Sequence, residues 1–152
     1  ITDFISELDD ITRGMFLATK AMDQTRPVLD TSGYSHRIID TDIYDSHDYE
    51  QNPTKFSANQ KGLSDDKPYM NTWWDHLKYP EKDAWGRKIM NEWSLEYKGQ
   101  PYFVSEFGGI WWNPDQEHSQ SWGYGKRPKT IEEFYDRFEK LCKILFNFNH
   151  KG

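Results

Sequence analysis

Phe4, Leu8, Ile11, Met15, Ala18 and Met22 recur three and four positions apart, the period of a helix with one apolar face. The Asp9-Asp10 pair and Gly14 weaken that pattern, so the predicted helix covers about Asp10 to Met22. Asp23-Gln24-Thr25 then turns the chain, and Arg26 to Gly33 predicts a short strand closed by a Ser-Gly turn. Asp40 to Tyr49 predicts a second strand around Ile43 and Tyr44, its end crowded with Asp45, Ser46, His47 and Asp48. Pro53 suits the first turn of a short helix that runs through Phe56 to about Lys61, where Gly62 stops it.

A third strand is predicted within Gln100 to Trp112, an apolar run opened by Pro101 and ending on Glu106, Gly108 and Gly109. Thr130-Ile131-Glu132-Glu133 has the spacing of a capping box, and Ile131, Phe134, Tyr135, Phe138, Leu141, Cys142 and Leu145 trace one face of a helix ending near Asn147. Between Leu63 and Gly99 periodicity is lost. That stretch carries Trp73, Trp74, Trp85 and Trp93, too aromatic for a disordered linker, and reads as an ordered excursion with a helical turn or two within Asp83 to Trp93. Strands alternating with helices imply an α/β fold with a parallel sheet. About three parallel strands cannot cover both their faces alone, so the pattern predicts an open slice of a larger α/β barrel, with no linker dividing residues 1–152.

Composition adds a surface to that frame. Aromatic residues make up 16% of the chain, with 7 Trp, 9 Tyr and 9 Phe, a balance that suits a polar, aromatic-lined cleft. A formal net charge of -6 with no basic stripe argues against a nucleic-acid partner. No apolar run of about 18 residues predicts a membrane span, and no basic-then-apolar start predicts a signal peptide. The chain begins on Ile1 in what reads as mid-element, as a fragment would, which leaves the compartment open between cytoplasm, periplasm and secretion. Cys142 lies in the helical pattern, where an inert buried thiol is expected.

The chemistry centres on Glu106. An acid at a strand end often caps a turn or pairs with a lysine. Here two glycines follow after one residue and leave room for a ligand, and Trp111 and Trp112 offer flat faces on which a sugar ring stacks. His47 and Tyr49, two apart, point the same way if extended, placed to contact a sugar hydroxyl or to hold Glu106. His47 with Asp45 or Asp48 is too sparse for a metal site. Asp30, Asp45, Asp48 and Glu50 are further acids at the predicted strand ends.

Pro101-Tyr102-Phe103-Val104-Ser105-Glu106-Phe107-Gly108-Gly109 resembles the nucleophile strand of glycoside hydrolase family 2, which includes β-galactosidases, β-glucuronidases and β-mannosidases. Thr25-Arg26-Pro27-Val28 with Asp30-Thr31-Ser32-Gly33-Tyr34 looks like the fifth strand of that family's catalytic barrel, and Asp42-Ile43-Tyr44-Asp45-Ser46-His47-Asp48-Tyr49 like its sixth. The resemblance implies a partial (β/α)8 TIM barrel and retaining hydrolysis of β-glycosides, β-galactosides foremost. Glu106 is then the nucleophile, and Asp30, His47, Tyr49, Trp111 and Trp112 bind substrate. A second carboxyl, about 5–5.5 Å away in retaining enzymes, protonates the leaving oxygen and then activates water. In the family it lies at the end of the fourth strand, which this sequence does not contain, so the chain alone is expected not to turn over glycosides.

No cofactor is evident from the residues; Mg or Na ions enter by the resemblance only. The expected partner is a carbohydrate, with no nucleic acid and no membrane, and exposed sheet edges are a route to homo-oligomers. A non-catalytic carbohydrate-binding module is the alternative from a different class.

Overall fold

The computed structural model describes residues 6–33, 36–62, 78–82, 85–92, 94–113 and 122–147. Its elements are α1 (Ser6–Met22), β1 (Tyr44–Asp48), α2 (Pro53–Gln60), β2 (Lys78–Lys82), β3 (Lys88–Glu92), β4 (Tyr102–Phe107) and α3 (Ile131–Asn147). β1 and β4 form a two-stranded parallel sheet, whereas β2 and β3 form a separate antiparallel pair. The chain divides into two compact units, Ile1–His47 with Met70–Ser105, and Asp48–Tyr69 with Glu106–Gly152.

The expected slice of about three parallel strands from a (β/α)8 barrel is therefore corrected to a small, partial α/β arrangement with two parallel strands among the described residues. Arg26 to Gly33 supplies no strand. Pro27 has no N–H to give to a ladder, and carboxylates satisfy the backbone of this region instead. Asp42 Oδ2 accepts from Val28 N at 2.8 Å and Asp45 Oδ2 from Gly33 N at 2.9 Å. Asp83 to Trp93, expected to be helical, instead contributes β3, which pairs with β2 in a register that sets Lys78 opposite Glu92 and Lys82 opposite Lys88. Gly86, at a φ of 77°, takes the left-handed conformation between the two strands. Trp73 and Trp74 lie outside the described residues.

The first unit is built on Phe16, Ile38 and Tyr44, all buried. The Tyr44 ring meets His36 at 4.0 Å and Tyr97 at 5.3 Å between centroids. α1 is tied to the chain after it by ion pairs, Asp9 with Arg37 at 2.6 Å and Lys20 with Asp42 at 2.8 Å.

The second unit has an aromatic core. Phe107, the last residue of β4, lies 6.2 Å from Phe56 of α2 and 6.1 Å from Phe138 of α3, and Phe134 stacks on Phe138 at 6.3 Å. Leu141, one helical turn beyond Phe138, is fully buried, whereas Phe138 itself stays 44% exposed. Asn52 caps α2, its side-chain oxygen accepting from Thr54 N and Lys55 N, and Pro53 occupies the first turn, where no N–H is missed. Thr130 Oγ1 caps α3 by accepting from Glu133 N at 3.3 Å, and Glu133 Oε2 accepts from Lys129 N at 2.7 Å, close to the reciprocal pattern the sequence predicts.

Candidate functional site

In the second unit, Glu106 stands exposed near the end of β4. Tyr49, the first residue after β1, donates its phenol hydrogen to Glu106 Oε2. Gln51 braces the same two chain segments: its Nε2 donates to Tyr49 O at 2.9 Å and also to Gly108 O. Gly108 and Gly109 have φ of 77° and 58°, so the backbone folds back in a left-handed turn directly after the strand. The glycine pair sends the chain away from the carboxylate.

That turn is stitched to a later segment. Tyr124 N donates to Gly109 O at 2.9 Å, and Ile110 and Tyr124 form a parallel bridge. A Cβ on Gly109 would come within 2.8 Å of the Tyr124 ring, so only glycine admits this approach. Tyr124 lies nearly parallel to Tyr49 with centroids 4.2 Å apart and planes 9° apart. Trp122 stands edge-on to Tyr124 at 5.7 Å and 80°, and is itself 80% exposed. Three rings thus run outward from the Glu106 carboxylate.

Trp111 and Trp112 are half-buried. Trp112 meets Phe134 of α3 at 6.0 Å, which ties it to the core of the unit. Trp111 has the Arg127 guanidinium over its ring at 5.7 Å, and Arg127 also donates to Asn113 O at 2.8 Å. Gly123 packs on the Trp111 backbone closely enough that a Cβ has no room.

Asp48 and Glu50 flank Tyr49. Asp48 is buried, and burial raises its pKa above the ordinary 3.8; its hydrogen bonds from Glu50 N, Gln60 Nε2 and Asn59 Nδ2 offset this in part. Gln60 Oε1, also buried, makes no hydrogen bond. This cluster fastens the end of β1 to α2.

Asp30 and His47, the other predicted substrate contacts, belong to the first unit. The Asp30 side chain is fully buried, with Oδ1 on His36 Nδ1 at 2.8 Å and Oδ2 on two backbone N–H groups. Burial alone would raise its pKa, but the hydrogen bond and charge of His36, with the two N–H donors, outweigh it and hold the carboxyl below its usual range. Burial likewise pulls His36 down, and there Asp30, the Asp45 carbonyl at 3.0 Å and the Asp45 charge prevail and raise it above 6.5. His36 is thus held between two aspartates that favour its protonated form. Asp45 Oδ2 in turn accepts from Gly33 N at 2.9 Å and from Ser105 Oγ, while Oδ1 sits 3.4 Å from His36 Nε2 without hydrogen-bond geometry. His47 is 9% exposed, its Nε2 3.2 Å from Ser32 Oγ and its ring against Gly33.

Of the predicted site residues, Glu106 and Tyr49 are brought into direct contact, Trp111 and Trp112 flank the same turn, and Asp30 and His47 are held in polar networks of their own unit. Sequence reasoning missed Tyr124 and Trp122. The Trp122-Gly123-Tyr124-Gly125 run, with small residues between large rings, was the available signal. Among the described residues no group of three or more His, Cys, Asp or Glu side chains is placed to hold a metal ion. Among the described residues, too, no helix is long and apolar enough to cross a membrane. A scan of the chain against protein-family models finds no match, and a search of curated proteins finds none either.

Proposed function

We propose that the Glu106 site acts on β-glycosides with retention of configuration, β-galactosides foremost, and that Glu106 is the nucleophile. The observation that carries this reading is an exposed carboxylate at a strand end whose Oε2 accepts the Tyr49 phenol hydrogen. A donor on one oxygen fixes the rotation of the carboxyl group, as a nucleophile must be fixed to reach an anomeric carbon in line. The likeness of Pro101 to Gly109 to the nucleophile strand of family 2 glycosidases supports the same role.

In the reaction, a Glu106 oxygen gives an electron pair to C1 of the sugar, and the bond from C1 to the leaving oxygen breaks with its pair leaving on that oxygen, which takes a proton from an acid. Water then adds at C1, losing a proton to the same group, and restores the free carboxylate. The reading assigns the acid to no residue of this chain. Ordinary glycosides need such a proton donor, whereas an activated leaving group does not.

A substrate whose leaving group needs no proton isolates the part assigned to Glu106. Incubation with 2,4-dinitrophenyl 2-deoxy-2-fluoro-β-galactoside should add one fluorosugar, and peptide mass spectrometry should find it on Glu106. Glu106→Gln should take up none. Label on another residue, or no label on the native chain, refutes the assignment. Exposed Trp122 favours a second reading, carbohydrate binding without chemistry, which predicts saturable binding of galactosides and no label.

A further inference from the structure

We propose that Trp122 and Tyr124 form the platform for a second ring of the substrate, the sugar or aromatic group on the leaving side of the bond that Glu106 attacks. This rests on the glycosidase reading of Glu106 and adds to it the part of the substrate that decides between one leaving group and another.

Position is the first argument. The Tyr49 hydroxyl touches the Glu106 carboxylate, Tyr124 lies over the Tyr49 ring at 4.2 Å, and Trp122 follows at 5.7 Å. Trp122 is thus two ring-to-ring steps from the attacking group. A sugar bonded to Glu106 at C1 lies beside the Tyr49 hydroxyl, outside the stacked rings, and the ring joined to it through the glycosidic oxygen is the part of the substrate long enough to reach Trp122. A terminal sugar has only one such neighbour, so the ring that meets Trp122 is the one that leaves.

The second argument is that this exposed indole is held in place. Trp122 is 80% exposed, yet Tyr124, two residues on, is bridged to Ile110 and bonded to Gly109 O. Gly123 between them lies against the Trp111 backbone with no space for a side chain. The Trp122-Gly123-Tyr124 segment is therefore fixed to the turn that follows Glu106. A large apolar face presented to solvent from a fixed backbone, edge-on to a second aromatic ring, suits the C–H face of a pyranose or the face of an arene. Neither of the neighbouring indoles offers the same: Trp112 is turned to Phe134, and Trp111 has Arg127 over its ring.

The test compares two reagents that deliver the same sugar to Glu106 and differ only in the second ring: 2,4-dinitrophenyl 2-deoxy-2-fluoro-β-galactoside and 2-deoxy-2-fluoro-β-galactosyl fluoride. In each, a Glu106 oxygen bonds to C1 while dinitrophenolate or fluoride departs with the bonding pair. Labelling rates are measured at low reagent concentration on the native chain, Trp122→Ala and Trp122→Phe. The expected result is that Trp122→Ala slows labelling by the aryl reagent roughly three- to tenfold, leaves the fluoride rate unchanged, and is partly rescued in Trp122→Phe. Equal loss with both reagents, or no loss with either, overturns the platform while leaving Glu106 as nucleophile. Absence of label from both reagents on the native chain overturns the glycosidase reading and this inference with it.

Discussion

His36 and Asp30, both buried, are joined by a 2.8 Å hydrogen bond from the imidazole Nδ1 to the carboxylate Oδ1. His36 is raised above 6.5, so its contribution to stability is complete below that value and is lost as pH rises through the raised one. Asp30 is lowered below 3.8, so its contribution is complete above that value and is lost as pH falls through the lowered one. The pair accordingly stabilises the fold most between pH 3.8 and 6.5. Replacing one partner of such a pair strands the other charge, and His36→Gln should lower the unfolding free energy by about 3 kcal/mol in that window. Urea titrations of both proteins from pH 3 to 9 check this, and the gap between them should narrow towards either end.

Tyr49→Phe removes the phenol hydrogen from Glu106 and keeps the ring that stacks on Tyr124. A hydrogen bond to a charged group contributes about 1.5–3 kcal/mol. Labelling of Glu106 by the dinitrophenyl fluoroglycoside should slow by roughly ten- to a hundredfold if the bond orients the nucleophile, with the circular dichroism spectrum unchanged. An unchanged rate would remove Tyr49 from the mechanism.

Asp48 is pushed above its ordinary pKa by burial, so the folded protein binds its proton more tightly than the unfolded chain does, and stability falls as pH rises from 3.8 through the raised value. Asp48→Asn removes that slope. The new amide nitrogen can also donate to Gln60 Oε1, which is buried and makes no hydrogen bond, once the Gln60 amide turns to present Oε1 in place of Nε2. The variant should gain about 1 kcal/mol at pH 7 and little at pH 3, as read from thermal melts at the two pH values. A loss at pH 7 would mean that the carboxylate's bonds from Asn59, Gln60 and Glu50 outweigh the cost of burying it.

Gly109→Ala puts a side chain at a φ of 58° and within 2.8 Å of the Tyr124 ring. The strain should cost about 1–3 kcal/mol and displace Tyr124 from Tyr49. Trp122 fluorescence, isolated as the difference between paired chains with and without Trp122→Phe, should shift with the Ala substitution.

Helices were legible where one face repeats without interruption. Ile131 to Asn147 carries both its cap and its apolar stripe in the sequence, and Pro53 marks the start of α2, whose Asn52 cap the sequence reading did not use. β4 was found at its apolar centre, Phe103-Val104, and β1 at its first residue, Tyr44. Val28-Leu29 misled because β propensity counts side chains and does not see Asp42 and Asp45, from later in the chain, taking the N–H groups of Val28 and Gly33. The β2–β3 pair was missed because charges and Pro80 interrupt any alternation. At the site, contact between Tyr49 and Glu106 was among the expected arrangements because His47 and Tyr49, two apart, share one side of an extended segment. Tyr124 and Trp122 were not, since the turn at Gly108 and Gly109 that draws them in depends on backbone conformation and not on the pattern of apolar residues.

Gln51 gives the site a further property. One amide nitrogen rivets the carbonyl after β1 to the carbonyl after β4, so the spacing of the phenol and the carboxylate is set by main chain. The aromatic segment proposed to meet the leaving group is attached downstream of that rivet. Substitutions there can retune which leaving groups are accepted without shifting the attacking pair, a separation that lets specificity drift while the reactive geometry is inherited intact.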